Sequence, residues 1–426
     1  MKVTGIIAEY NPFHNGHEYH LMQAKAQTKA DYVVVVMSGN FTQRGIPALL
    51  SKYVRARHAL FAGADLVLEI PMPYAVSSAE YFALGGCALL DQLGVVDTLC
   101  FGMEQTDLEA LKALSSIISK EPELYQNSLR QKLSEGLSFP RAQQEALHAY
   151  DSSLNISMLE APNNRLALEY LKALTKLNSS ITPFPVKRIG KGYDDTNLSN
   201  EGSEQYSSAS SIRKYIDDTT AAYTAPSSIT AKAMDDELSN HVPAYVWSDL
   251  EQLLKEKEFL LTNDLDLLLH YKLLQQSADS LQTYLDVNAD IANKILNHLP
   301  SYTTFDAFCD LLKSKDLTYT RISRLLLHIL LDLKKTDMDI LKQQDLIPYA
   351  RILGFRKDAS PLLHQIKESS ILPMISKLAD ASKNLSYEAM SILDKEIAAS
   401  HIYEAILSSK TNKPLKNEFT QPIQII

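Results

Sequence analysis

The chain opens on an apolar run without helical period, Val3-Thr4-Gly5-Ile6-Ile7-Ala8, and this run with the turn and helix behind it limits the fold more than any other stretch. Such a run suits a strand buried on both faces of a parallel sheet. Asn11-Pro12 and Asn15-Gly16 are turn dipeptides that stop it, and from Glu18 to about Lys29 the residues Tyr19, Leu21, Met22 and Ala26 suit a helix. Strand, turn and helix in that order aim free backbone N–H groups and the positive helix end at an anion. The tetrad His14-Asn15-Gly16-His17 occupies the turn. Gly16 has no Cβ, so a base or ribose can lie against the backbone there. His14 and His17 can point the same way from the helix start, and two imidazole donors facing a phosphate would stabilise charge developing in nucleotidyl transfer. Two other readings of the pair stay open on this ground. Metal ligation would extend to His20, although Glu18 points to a different face and a metal site usually needs a carboxylate or thiolate. Alternatively the rings only pack, as His20 by itself would.

At 426 residues, 45% hydrophobic and 22% charged, the chain has the length for two or three domains with ample core. Cys87, Cys100 and Cys309 lie far apart and form no CxxC pair, which suggests neither a zinc site nor a disulfide framework and fits a reducing cytoplasm. No apolar stretch approaches bilayer-spanning length and no export signal is evident, so a cytoplasmic chain with no membrane partner is expected. A net charge of −9 argues against nonspecific coating of nucleic acid, and no DNA partner is expected, while a local basic patch stays open.

Through about residue 225 apolar runs alternate with helical patterns: Tyr32 to Met37, Asp65 to Ile70, Thr98 to Phe101 and Pro185 to Ile189. This predicts an α/β fold, a Rossmann-like parallel sheet with ligands at the carboxyl ends of its strands. The segments after these runs, Ser38-Gly39-Asn40-Phe41-Thr42-Gln43-Arg44-Gly45, Gly102-Met103-Glu104 and Arg188 with Gly190, converge on one rim in such a fold. Lys191-Gly192-Tyr193-Asp194-Asp195 leads into a polar stretch expected as a mobile loop. After it, Ser207-Ser208-Ala209-Ser210-Ser211 precede a helix on which Arg213 can reach a triphosphate. From Ile229 leucine-rich helical segments predict an all-helical C-terminal domain, with a hinge at Ala225-Pro226-Ser227-Ser228. The expected division is 1–225 catalytic, 226–410 helical and 411–426 tail. Between Asp310 and Asp358 ten Lys or Arg stand against seven Asp; Arg321 and Arg324 share a helical face, and Lys313, Lys315, Arg351, Arg356 and Lys357 are candidates to join them.

The run Gly5 to His17, together with Ser38 to Gly45, Cys100-Phe101-Gly102, Pro162-Asn163-Asn164, Glu169 to Leu174, Lys187 to Asp194 and Ser208 to Arg213, resembles the bacterial tRNA(Met) cytidine acetate ligase family. Tyr319 to Arg324 and Arg351 to Phe355 extend the resemblance over nearly the whole chain. It implies an HxGH nucleotidyltransferase-like fold and a two-step reaction. ATP and acetate give acetyl-adenylate and pyrophosphate; acetyl then passes to N4 of the wobble cytidine of elongator tRNA(Met), forming N4-acetylcytidine. By family position Ile7, Ala8, Glu9, Tyr10, Asn11, Pro12, Phe13, His14, Asn15, Gly16, His17, Glu18, Tyr19 and His20 cradle ATP, and Gly102, Asn164 and Arg188 complete the pocket. His14 and His17 would meet the leaving charge, with Arg213, Ser210 and Ser211 as the other half of a clamp. Ser38, Gly39, Arg44 and Lys52 are assigned to the acetate pocket and Arg321 and Arg324 to the tRNA backbone. Mg2+ is expected with the triphosphate, its ligands unassigned because no acidic cluster announces them. Two other classes remain: an adenylyltransferase acting on a small nucleotide or pantetheine intermediate, and a nonenzymatic RNA-binding factor on a nucleotide fold.

Overall fold

The computed structural model describes residues 1–189, 198, 206–222 and 237–426. The Lys191-Gly192-Tyr193-Asp194-Asp195 loop and the Ala225-Pro226-Ser227-Ser228 hinge lie outside the described residues. Among the described residues eight strands form one sheet: β1 (Val3–Ala8), β2 (Tyr32–Met37), β3 (Leu66–Glu69), β4 (Thr98–Met103), β5 (Thr182–Lys187), β6 (Ala350–Phe355), β7 (Met374–Ile375) and β8 (Gln424–Ile425). Their order is β5-β4-β1-β2-β3-β6-β7, with β8 also on β6. The first five are parallel, and β6 joins β3 antiparallel.

Alternation along β2 explains why the valine run lacks a polar face. Val34 and Val36 enter one core with the helices Ala79–Gln92 and Pro162–Lys176, whereas Val33 and Val35 enter a second with Asn15–Thr28 and Lys52–Phe61. All four valines are fully buried, as a strand covered on both faces requires. The sheet is therefore the middle of three layers. Chain direction across it reverses between β1 and β4, and in open α/β sheets ligands bind beyond the strand ends at such a point.

After residue 237 the chain is mainly helical, as expected, including the long helix Tyr387–Thr411. It also returns to the sheet: Arg351-Ile352-Leu353-Gly354-Phe355 lies in β6, and Gln424–Ile425 near the C-terminus pairs with it. The compositional change near residue 225 is thus not a boundary of the sheet. Among the described residues no helix is long and apolar enough to cross a membrane.

Candidate functional site

Where β1 ends, Tyr10 turns the chain with a positive φ of 50°, and the cis Asn11–Pro12 bond comes next. Tyr10 and Phe13 are buried with ring centroids 4.8 Å apart, forming an apolar floor, and Tyr10 also meets the His17 ring edge-on at 4.9 Å. Asn11 Oδ1 accepts the Leu49 N–H at 2.7 Å, tying this turn to the chain beyond β2.

His14 is the N-cap of Asn15–Thr28, and the tetrad builds a reciprocal cap of its own. The Gly16 N–H donates to His14 Nδ1 at 3.0 Å, and the His14 N–H donates to His17 Nδ1 at 3.3 Å. Both Nδ1 atoms therefore accept, so in the neutral rings the proton sits on Nε2. The rings stack with centroids 3.7 Å apart. Burial, followed by the charges of Arg188, Arg213 and His241, lowers the His14 pKa to about 3. Burial and the neighbours His14, Arg188 and His20 hold His17 well below the ordinary value. At neutral pH the pair thus offers two uncharged N–H donors. The metal reading of the pair gains nothing: among the described residues no three His, Cys, Asp or Glu side chains gather to hold an ion.

The opposite wall comes from three other elements. Arg188 lies just past β5 and donates from Nη1 to Asn163 Oδ1 at 3.2 Å, while Asn163 Nδ2 donates to Glu104 Oε1 at 2.5 Å. Gly102 in β4 lets Arg188 cross it, since a Cβ there would stand 3.1 Å from Arg188 Cγ. From the helix Ala209–Ala222, Arg213 donates to the Asn11 carbonyl and to Ser210 Oγ, bringing a second guanidinium to the tetrad.

Of the residues assigned from sequence, Ile7, Ala8, Glu9, Tyr10, Asn11, His14, Gly16, His17, Tyr19, His20, Arg44, Gly102, Arg188, Ser210 and Arg213 line this one cleft. Others do not reach it. Pro12 and Phe13 are buried beneath the turn; Asn15 Nδ2 donates to the Asn240 carbonyl at 2.9 Å; and Glu18 accepts from the Tyr245 hydroxyl at 2.9 Å. Asn164 is fully buried behind the wall. Its Oδ1 accepts the Glu104 and Gln105 N–H groups at 3.0 and 3.4 Å, and its Nδ2 donates to the Gln105 carbonyl at 3.2 Å. It shapes the loop after β4, and the neighbouring Asn163 holds the cleft position. Ser211 is buried as well, with its hydroxyl donating to the Ser208 carbonyl at 2.8 Å.

The acetate assignments divide. Gln43 and Arg44 reach the cleft, but Ser38 is buried, and both its carbonyl and that of Gly39 accept from Arg55. Lys52 is fully enclosed. Its Nζ lies 2.9 Å from Glu69, 2.6 Å from Glu418 and 3.0 Å from Ser400 Oγ, so it has an ion-pair role and no access to substrate. Arg351 belongs to the same cluster, 3.2 Å from Glu69 and 2.5 Å from Glu418, and leaves the basic face. Arg321 is exposed on the helix Tyr319–Leu330, whereas Arg324 is half-buried with its Nε enclosed. Gln43, Phe101, Asn163 and Tyr170 also line the cleft; they lie inside the motifs quoted above without an individual role, and Tyr206, two residues before Ser208, lies outside them.

The HIGH Nucleotidyl Transferase family model matches residues 1–418. A protein of Acetivibrio thermocellus named tRNA(Met) cytidine acetate ligase is 38% identical, with all of both chains covered. One of the same name from Clostridium perfringens is 40% identical over 95% of each chain. Crystal structures of Thermotoga maritima TmcAL share 28% identity: one bound with alpha-thio ATP superposes with a TM-score of 0.87 over all of this chain and 99% of that one, and an apo form with 0.89 over all of both. The cleft lies beyond the strand ends at the reversal between β1 and β4, and the chain belongs to the tRNA(Met) cytidine acetate ligase family, within the HIGH nucleotidyl transferases, and is a ligase.

Proposed function

We propose that this cleft joins acetate to AMP and delivers the acetyl group to N4 of the wobble cytidine of elongator tRNA(Met), giving N4-acetylcytidine. In the first step an acetate oxygen attacks the α-phosphorus of ATP, an O–P bond forms, the bond to the β-phosphate breaks, and pyrophosphate leaves. The observation that carries the reading is a single cleft lined by His14 and His17, whose neutral rings keep their proton on Nε2, together with the cations Arg188 and Arg213. Fixed donors and cations of this kind favour the charge that grows on a leaving pyrophosphate. In the second step the N4 amine attacks the acetyl carbonyl and AMP leaves.

Glu9 is the only carboxylate among the described residues lining the cleft, which therefore offer no cage of oxygen ligands for Mg2+. Any such ion would enter on the triphosphate, and no step is assigned to it. For the tRNA, the exposed Arg321 on Tyr319–Leu330 is the backbone contact we propose, with 1–225 supplying chemistry and 226–410 the RNA surface.

The test is incubation with ATP, labelled acetate and bulk tRNA followed by nucleoside analysis, with label expected in N4-acetylcytidine. Acetate-dependent ATP–pyrophosphate exchange should fall about 10²- to 10³-fold in His17→Ala with the fold intact. Exchange that needs a nucleotide or pantetheine acceptor in place of acetate would replace this reading with adenylyl transfer. Normal exchange in His17→Ala would remove the histidines from the mechanism.

A further inference from the structure

We infer that Glu9 is the proton acceptor in acetyl transfer, taking one hydrogen of the cytidine N4 amine; this rests on the proposed function. In that step an N4–C bond forms, the C–O bond to AMP breaks, and N4 sheds a proton. The amine is a weak nucleophile because its lone pair is shared with the ring. Until the proton leaves, the tetrahedral intermediate expels the amine more readily than AMP. A base within hydrogen-bond reach commits it forward.

Few groups in the cleft can accept that proton. His14 and His17 spend both Nδ1 lone pairs on backbone N–H groups and present only N–H, so they act on the phosphates. His20 directs its Nε2 to Cys100 Sγ at 3.7 Å. Arg44, Arg188 and Arg213 are cations. Among the described lining residues Glu9 alone brings a carboxylate.

Its placement is built from both ends. The Glu9 carbonyl accepts from Arg55 Nη1 at 2.6 Å, and Glu9 Oε1 accepts the Gln43 N–H at 2.7 Å. The carboxylate is thus held at the end of β1 against the loop that carries Arg44 into the cleft. Among the described residues Oε2 has no hydrogen-bond partner, and the side chain is half-buried in the cleft wall. A carboxylate oxygen so placed can accept from a cytosine N4, whereas uridine offers an oxygen there with no proton to give. One atom therefore serves both to select cytidine and to take its proton.

Two half-reactions separate this role from ATP binding. In Glu9→Gln the amide oxygen still accepts from Gln43 N–H. Single-turnover transfer from enzyme-bound acetyl-adenylate to tRNA should fall about 10²- to 10⁴-fold, and by at least about tenfold more than acetate-dependent exchange falls. Glu9→Asp, which keeps a carboxylate, should retain more transfer than Glu9→Gln. Equal losses in both half-reactions, a raised KM for ATP with transfer intact, or wild-type transfer in Glu9→Gln would each overturn the inference. Absence of acetate-dependent exchange in the wild type would instead refute the proposed function itself.

Discussion

Replacing Glu418 by Gln tests whether the end of the chain is held to the sheet by charge. Burial alone would push the Glu418 carboxyl up, but Lys52 and Arg351 reverse this and hold it at about 2 against an ordinary 4.5. A fall of that size corresponds to about 3 kcal/mol of folding free energy. This agrees with the roughly 3–5 kcal/mol lost when one partner leaves a buried pair. The sign comes from the depressed value: the contribution is complete above pH 4.5 and disappears as pH falls toward 2. Urea denaturation at pH 7 should find Glu418→Gln less stable by about 3 kcal/mol, with the gap closing at lower pH as the wild-type carboxyl takes up a proton. Lys52→Met strips the partner from Glu69 as well, so the double variant should lose less than the sum of the two. A deficit under about 1 kcal/mol at pH 7, or a gap unchanged between pH 7 and pH 3, would refute the argument.

Glu396 in the same cluster behaves oppositely. Burial and the Glu69 charge raise it to about 8, so wild-type stability should decline as pH rises from 4.5 toward 8, and thermal melting of Glu396→Gln should lack that slope. Arg321→Glu should weaken tRNA binding and lower the magnitude of its log–log salt slope by about 0.7–0.9 for one lost phosphate contact, with acetate-dependent exchange retained; an unaltered slope would place the RNA elsewhere.

β1 to β4 are legible because each is a short apolar run largely buried on both faces, whereas β5, mostly half-buried at the sheet edge, runs Thr182–Lys187, three residues ahead of the start and two short of the end of the apolar run Pro185 to Ile189. The tetrad was legible because its residues are contiguous: turn, cap and donors are all local. Asn163 and Asn164 show where such reading stops. Both belong to one Pro-Asn-Asn motif, and helical rotation decides that one faces the cleft while the other spends both ends of its amide on the loop after β4. Lys52, Glu69, Arg351, Glu396 and Glu418 come together only when β6 docks antiparallel on β3 and the chain's end packs beside it. A basic residue bound for a buried pair looks, in sequence, like one bound for a phosphate, so Lys52 and Arg351 were placed at the wrong surfaces.

One short loop joins the helix Tyr319–Leu330 to the cleft. Gly45, at a φ of +78°, lies so close to the helix Tyr319–Leu330 that a Cβ there would stand 2.4 Å from the Arg324 backbone nitrogen. Ser323 Oγ donates to the Gly45 carbonyl at 2.8 Å, and the Gly45 N–H closes a turn on the Thr42 carbonyl at 2.9 Å. Between those two anchors Gln43 gives its N–H to Glu9 and Arg44 enters the cleft. The same helix exposes Arg321 to solvent one turn away. Any displacement of this helix must therefore either break the Ser323–Gly45 bond or carry the loop, and with it the N–H that fixes Glu9. That contact gives the exposed Arg321 and the carboxylate a common mechanical support, which a tethered RNA-binding appendage would not need.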